Sequence, residues 1–161
     1  MRYWLLKSEP SEYSIFQLEA QVRGRWDGIR NYQARNFIRE MKINDIAYFY
    51  HSNCPMPGIY GKMKISSSSY ADPTAFDKSS SYFDAKSDES KPRWLSVDVE
   101  YLCKFKVPLL LPEIKAIVDF GPSPLTAKGN RLSVIPLTDT QSELLDRFLD
   151  NKKAGDESDK K

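Results

Sequence analysis

Residues 94–105 give the clearest strand signal in the sequence, because apolar and polar side chains alternate along them. Successive side chains of a strand point to opposite faces, so a period of two predicts a strand with one buried face. Ser96, Asp98 and Glu100 lie on the polar face. The apolar positions are Leu95, Val97, Val99, Tyr101, Cys103 and Phe105. We therefore expect a fold built on a β-sheet.

Shorter strands and helices are predicted around this strand. Capping-box patterns at Ser14–Gln17 and Thr138–Gln141 predict two helix starts. Residues 77–92 contain almost no aliphatic side chains and indicate a long surface loop, mobile or lid-like. The other predicted strands are residues 3–6, 46–51, 59–65 and 132–135. Strands and helices do not alternate regularly and no glycine-rich phosphate loop is present, so we predict an α+β domain on a small, curved sheet or barrel.

The 161-residue length and the composition suit one soluble domain. We expect it to cover residues 1–150, with residues 151–161 forming a polar, unstructured tail. Two cysteines, Cys54 and Cys103, and one histidine are too few for a Cys/His zinc site, so no metal or cofactor is expected. No run of 18 apolar residues exists, so no membrane span is expected. We expect a monomer in the cytoplasm, or in the nucleus of a eukaryote.

The most unusual stretch is residues 26–39, where aromatic, amide and guanidinium groups collect at a predicted helix start. Asn31 is a suitable N-cap, and Ala34, Phe37 and Ile38 would form the apolar face of the helix. Between Arg23 and Lys42 there are six basic and two acidic residues, although the net charge of the whole chain is only +2. A helix N-terminus favours anions such as phosphate. A solvated basic helix explains the same stretch about equally well.

These residue types suit the binding of a single nucleic-acid base, which stacks on aromatic rings and is read at its edge. Trp4 and Trp94 could also serve as walls, but we expect both in the core. The candidate walls are Trp26, Tyr32 and Tyr50; the candidate edge readers are Ser8, Asn31, Gln33, Asn36 and Ser52; the candidate phosphate contacts are Lys7, Arg30, Arg35 and Lys62.

Catalysis has weaker support in the sequence. His51 is the only histidine, so a Ser–His or Cys–His mechanism would have to use it. Glu9 beside Lys7 could serve acid–base chemistry, although such a pair is more often a solvated ion pair. Two alternatives to base binding stay open: an enzyme acting on nucleotides or nucleic acid through His51 and Glu9, and a protein-interaction module in which the basic helix binds an acidic partner.

Several blocks of the sequence resemble the signature blocks of the EVE domain family, in the expected order and from Arg2 to about Leu149. The long block WDGIRNYQARN is highly specific. The matching blocks are residues 2–10, 26–36, 49–54, 57–61, 72–77, 92–94 and 129–134.

The resemblance implies a PUA-like fold, which is a small mixed β-barrel with flanking short helices. It also implies a pocket that reads a modified base, such as methylated or hydroxymethylated cytosine, in DNA or RNA, without catalytic activity. Carried onto this sequence, the pocket would be formed by Lys7, Ser8, Trp26, Asn31, Tyr32, Gln33, Asn36, Tyr50, His51 and Ser52.

Overall fold

The computed structural model describes residues 1–159 of the chain, with side chains described through residue 155. It contains seven strands, four α-helices and one 3-10 turn at Pro73–Phe76. The strands are β1 (Tyr3–Ser8), β2 (Arg23–Trp26), β3 (Ile46–His51), β4 (Gly58–Ile65), β5 (Tyr70–Ala71), β6 (Leu95–Leu110) and β7 (Val134–Leu137). The helices are α1 (Ile15–Gln21), α2 (Tyr32–Glu40), α3 (Leu111–Lys115) and α4 (Asp139–Asp159).

The strands form one mixed sheet in the order β2-β6-β4-β3-β1-β7, with β5 paired to β6. β1 and β3 run parallel, and the other neighbours are antiparallel. The predicted α+β class is confirmed, but in the described part of the chain β2 and β7 do not pair, so hydrogen bonding does not close the sheet into a barrel. Pro136 in β7 has no N–H to donate, which suits an edge strand.

The predicted helix starts are present. The Ser14 hydroxyl accepts from the Gln17 N–H and the Gln17 side chain accepts from the Ser14 N–H, which completes the capping box of α1. Asn31 caps α2 by accepting from the Ala34 N–H at 2.9 Å. Ala34 and Ile38 of α2 are buried against the sheet. Because Asn31 fixes where α2 begins, residues 26–30 must form the turn that connects β2 to this helix.

Two strands were not predicted. β2 carries the sequence RGRW, in which only Trp26 is buried, so it lacks the apolar alternation that identifies a strand. It pairs with β6 from Arg23 opposite Glu100 to Trp26 opposite Val97. β5 has only two residues. This pairing fixes the backbone at Trp26, which the sequence predicts as a wall of the pocket.

The C-terminal segment differs from the sequence-based expectation. α4 continues to Asp159, so residues 151–159 are helical where an unstructured tail was expected; residues 160–161 lie outside the described part. The Nζ atom of Lys152 lies 2.8 Å from Oε1 of Glu113 in α3, which ties the extension to the domain.

The core lies on the sheet beneath the helices. Trp4 is fully buried, as expected, and its indole N–H donates to Oδ2 of Asp45 at 3.0 Å. On β3, Tyr48 and Phe49 are also completely buried. None of the helices described is long and apolar enough to cross a membrane.

Candidate nucleic-acid interface

A cleft of about 850 Å³ is lined by residues at the ends of β1, β2 and β3. Ser8 ends β1 and Ser52 follows β3, and these two strands are parallel neighbours. Trp26 ends β2, which runs in the opposite direction, and its ring reaches the cleft by packing on Phe49 of β3. The cleft also contains cations and carboxylates. Its charged lining residues are Lys7, Arg25, Arg131, Glu9, Glu12 and Asp27. Of the predicted pocket residues, the cleft brings together Lys7, Ser8, Trp26 and Ser52.

Trp26 forms the deep aromatic part of the cleft and is 4% exposed. Its ring packs edge-on against Phe49, with the centroids 5.1 Å apart, and against Tyr13 at 6.0 Å. Because both neighbours and the β2–β6 pairing hold the indole, its position is fixed before any ligand arrives.

Tyr82 closes one side of the cleft and comes from the long loop predicted at residues 77–92. Its hydroxyl donates to Oε2 of Glu12 at 2.7 Å, and this hydrogen bond together with burial raises the pKa of Tyr82 to about 12. Gly28 has φ +76°, and a Cβ there would lie 2.8 Å from the Tyr82 ring. Glycine at position 28 is therefore required both for the turn and for the close approach of Tyr82.

A buried carboxylate holds this arrangement together. Asp72 is completely buried, and its oxygens accept from the Gly28 N–H, Thr74 and the Arg30 guanidinium. Burial raises the pKa of the Asp72 carboxyl, but the hydrogen bonds from Thr74, Gly28 and Arg30 outweigh it and keep the pKa below its ordinary value. Asp72 thus ties the 26–30 turn to the loop that carries Tyr82.

Lys7 lines the cleft without a carboxylate partner in the described part of the chain. Its Nζ atom lies 5.4 Å from the centroid of the Tyr50 ring, a cation–π contact. Burial lowers the pKa of Lys7. Tyr50 itself is buried and therefore supports Lys7 from below rather than lining the cleft.

The structure places His51 in the core and not in the cleft. It is 3% exposed, its Nε2 atom accepts from the Ile15 N–H at 3.2 Å, and its ring stacks on Tyr60 at 4.2 Å. Burial lowers the pKa of His51 to about 4, so the ring is neutral. Since the acceptor nitrogen already caps the start of α1, His51 has a structural role here.

The predicted pocket residues of α2 lie outside the cleft. Asn31 is the helix cap, and Gln33 and Asn36 are exposed. Tyr32 is 52% exposed and stacks on Trp94, with the ring centroids 4.9 Å apart. Trp94 is buried, as expected, and donates to Asp84 at 2.7 Å. This face of α2 therefore forms a second aromatic cluster, separate from Trp26.

Three of the four cations predicted to contact phosphate have other partners. Arg30 binds Asp72 and donates twice to the Tyr82 carbonyl, at 3.1 and 2.6 Å. Arg35 donates to the Arg93 carbonyl and lies over the Tyr32 ring. Lys62 Nζ lies 2.6 Å from Asp146 Oδ1 on α4. These cations stabilise the fold, which corrects their assignment as free phosphate contacts.

Sequence reasoning missed Asp27, Tyr82 and Arg131 as cleft residues. Asp27 is in the long signature block, but a carboxylate was not expected in a nucleic-acid site. Tyr82 and Phe83 form an aromatic pair in a Ser- and Asp-rich loop, and this pair was the available signal. Within the described part of the chain, no group of three His, Cys, Asp or Glu side chains could hold a metal ion.

Fold and cleft together define a mixed-sheet domain with an aromatic, polar cleft whose volume lies in the range of small-molecule sites. The EVE domain model matches residues 2–147, and the chain belongs to the EVE domain family. Thymocyte nuclear protein 1 from mouse is 43% identical over 161 aligned residues, covering 89% of this chain and 71% of that protein. The human protein of the same name is 40% identical with 72% of its length covered.

Solved structures agree with this membership. A protein from Pseudomonas syringae is 46% identical with a TM-score of 0.89, covering 91% of this chain and 99% of that one. Human THYN1 protein, in a complex with 5-methylcytosine-containing DNA, is 38% identical with a TM-score of 0.84, covering 92% and 98%. A YTH domain from Zygosaccharomyces rouxii shares the fold at 11% identity and a TM-score of 0.53, covering 92% and 86%. The PUA-like fold is thereby confirmed.

Proposed function

We propose that this chain is a non-catalytic domain that reads a modified base, such as methylated or hydroxymethylated cytosine, in DNA or RNA. The observation that carries the proposal is the cleft in which Trp26 and Tyr82 face basic groups at Lys7 and Arg131. The structure of human THYN1 protein with 5-methylcytosine-containing DNA supports it, because the alignment covers 92% of this chain and 98% of that one.

The size and chemistry of the cleft suit a base that has left its stack. About 850 Å³ lies within the usual range for small-molecule sites. Trp26 offers a fixed apolar surface, and Ser8 and Ser52 offer hydroxyl groups for a base edge. A modification such as a methyl group adds apolar surface that a preformed aromatic cleft can bury.

The proposed phosphate contacts keep Lys7 from the sequence-based prediction and add Arg131. Lys7 and Arg131 line the cleft, and neither has a carboxylate partner among the described residues. Arg30, Arg35 and Lys62 already bind protein groups. We therefore propose Lys7 and Arg131 as the groups that hold the phosphates on either side of the bound base.

The alternatives have less support. An enzyme using His51 would need the imidazole at the surface, yet its ring is buried and its acceptor nitrogen is bonded to the Ile15 N–H. An acidic protein partner on α2 would have to compete with the internal contacts of Arg30 and Arg35.

We further propose that residues 1–150 form the base-reading domain, with α4 extending beyond it, and that the chain binds as a monomer. The name of the relatives, thymocyte nuclear protein 1, favours the nucleus over the cytoplasm if the host is a eukaryote.

The experiment is a binding titration at fixed salt with short DNA and RNA oligonucleotides, each unmodified or carrying one methylated or hydroxymethylated cytosine. Salt must be fixed because phosphate contacts make affinity salt-dependent. We expect tighter binding to one modified oligonucleotide than to its unmodified counterpart. Equal, salt-sensitive binding to all of them would show a basic surface only and would contradict the proposal.

A further inference from the structure

The cleft carries as many carboxylates as cations, which is unusual for a surface that binds a polyanion. Glu9, Glu12 and Asp27 line it together with Lys7, Arg25 and Arg131. A phosphate placed among these carboxylates would be repelled by their negative charge. The inner part of the cleft is therefore better suited to groups that donate hydrogen bonds than to anions.

The three carboxylates differ in how they are held. Glu12 is exposed and bound to the Tyr82 hydroxyl, and Glu9 accepts from the Asn53 amide at 3.1 Å. Asp27 directly follows Trp26, and its side chain is only 27% exposed. Its Oδ2 atom accepts from Arg25 Nε at 2.9 Å, and within the described part of the chain its Oδ1 atom has no hydrogen-bond donor. Asp27 thus lines the cleft with one carboxylate oxygen that no described protein group binds.

The backbone on both sides of Asp27 is anchored. Trp26 is paired to Val97 on β6, and the Gly28 N–H donates to the buried Asp72 carboxylate at 2.9 Å. The short aspartate side chain has little freedom between these two fixed residues, and Arg25 restrains it further. A reader of a base edge needs this kind of preorganisation, because a mobile carboxylate would lose entropy on binding.

The charge of Asp27 acts within the cleft. Burial raises the pKa of the Tyr13 hydroxyl, and the negative charge of Asp27 adds to that increase. The hydrogen bond to Glu12 and burial raise the pKa of Tyr82 most, and Asp27 contributes there as well. Tyr13 and Tyr82 both line the cleft, so the carboxylate lies near the walls that would surround a base.

An ionised carboxylate can only accept hydrogen bonds. Cytosine presents an exocyclic amino group at C4 and adenine at C6, whereas guanine has a keto oxygen at C6 and its amino group at C2. Acidic side chains read the cytosine amino group in this way. Thymine, uracil and hypoxanthine present a carbonyl oxygen at the equivalent position. The carbonyl oxygen and the Asp27 carboxylate would both be hydrogen-bond acceptors, with no proton between them. On binding, at least one of them would lose its hydrogen bond to water without gaining another.

We propose that Asp27 is a specificity-determining residue whose Oδ1 atom accepts a hydrogen bond from the exocyclic amino group of the bound base. The cleft therefore selects an amino-bearing base, of the cytosine or adenine type, against its keto counterpart. This inference rests on the proposed function, since it assumes that a base enters the cleft beside Trp26. It predicts which exocyclic group the bound base must carry, whether or not the domain also recognises a modification.

The test uses pairs of bases that differ either in the amino or keto group or in the methyl group, but not in both. 5-Methylcytosine and thymine both carry the methyl group but differ at the amino or keto position, whereas 5-methylcytosine and cytosine differ only in the methyl group. Adenine and hypoxanthine make the same amino–keto comparison for a purine. Single-stranded oligonucleotides with one such base in a constant sequence are titrated against the full chain at fixed salt.

The wild-type chain is expected to bind the amino member of the preferred pair roughly tenfold to a hundredfold more tightly than the keto member. In Asp27→Asn the amide can donate to a keto oxygen, so the preference should be lost or reversed. Asp119→Asn is the matched control, because Asp119 is exposed, lies outside the cleft, and has a positive φ that asparagine tolerates. It should keep the wild-type preference.

The outcomes separate the two proposals. Equal binding of 5-methylcytosine and thymine, and of adenine and hypoxanthine, by the wild-type chain would overturn the role of Asp27. A preference for 5-methylcytosine over thymine that persists in a folded Asp27→Asn variant would overturn it as well. Equal binding of 5-methylcytosine and cytosine, with thymine and hypoxanthine bound more weakly, would contradict modification reading while supporting the amino-group rule. Thermal unfolding of each variant shows that it is folded.

Discussion

The Nη1 atom of Arg30 lies 2.9 Å from the Oδ2 atom of Asp72, and this aspartate is completely buried while the arginine side chain is 23% exposed. The same carboxylate oxygen accepts from the Gly28 N–H. Arg30 also donates to the Tyr82 carbonyl. One ion pair therefore connects the turn after Trp26 to the loop that forms the wall of the cleft.

Arg30→Ala should lower the free energy of unfolding by about 3 kcal/mol, because it leaves the buried Asp72 charge without its partner. Arg39→Ala is the control, since Arg39 is an exposed residue of α2 and should change the free energy by less than about 0.5 kcal/mol. Urea unfolding measures both. Equal decreases in the free energy of unfolding would show that Arg30 contributes no more to stability than an exposed cation such as Arg39.

Acid should destabilise the fold through His51. The folded-state pKa of about 4 is below the ordinary value of 6.5, so between these values the unfolded chain binds a proton that the folded chain does not. The free energy of unfolding should therefore fall as pH decreases from about 6.5 towards 4, by roughly 3 kcal/mol in all.

His51→Gln tests whether His51 causes this pH dependence of the free energy of unfolding. The glutamine oxygen can accept from the Ile15 N–H, but the amide does not titrate. The unfolding free energy of this variant should depend less on pH across this interval, as measured by urea unfolding at several pH values. An unchanged pH dependence would assign the effect to the carboxylates, whose contribution is lost at lower pH.

Trp26→Ala should weaken binding to the preferred modified oligonucleotide by about one to two decades, the usual range for losing one base–aromatic stack. Tyr32→Ala is the comparison, because Tyr32 stacks on Trp94 outside the cleft, and its modified-base preference should stay that of the wild type. Fluorescence anisotropy measures both at a temperature where each variant is folded. A larger loss in Tyr32→Ala would place the base on the α2 face.

Removing a phosphate contact should lower the salt dependence of binding. Lys7→Gln and Arg131→Gln should each reduce the slope of log affinity against log salt by about 1. Lys62→Gln should leave the slope unchanged, because Lys62 is paired with Asp146. Binding isotherms at four salt concentrations give the slopes. A reduced slope in Lys62→Gln alone would restore Lys62 as a phosphate contact.

Local features of the fold could be predicted because neighbouring residues encode them. The Ser14–Gln17 capping box and the Asn31 cap depend on residues three positions apart. The alternation that predicted β6 likewise lies within one segment. Lys7, Ser8, Trp26 and Ser52 were predicted for one pocket, and all four line the same cleft. Lys7, Ser8 and Ser52 lie in or directly after the neighbouring strands β1 and β3, and Trp26 packs on Phe49 of β3. Their role in binding a base stays a prediction.

The partners of the charged residues could not be predicted in the same way. Arg30 finds Asp72 at 42 positions along the chain, and Arg35 finds the Arg93 carbonyl at 58. A guanidinium has the same sequence signature whether it binds a phosphate or a buried carboxylate. Tyr82 reaches the cleft only because its loop folds back onto Gly28 and Glu12, and no periodicity marks such a contact.

The most direct test of the base-reading cleft uses the indole N–H signals of the three tryptophans in a nuclear magnetic resonance titration. The Trp4 indole N–H donates to Asp45 in the core, and the Trp94 indole N–H donates to Asp84 near Tyr32. Trp26 lies in the cleft. Adding a short oligonucleotide with one 5-methylcytosine should shift the Trp26 signal and leave Trp4 unchanged. A shift at Trp94 with Trp26 unchanged would contradict the account and move the binding site to the α2 face.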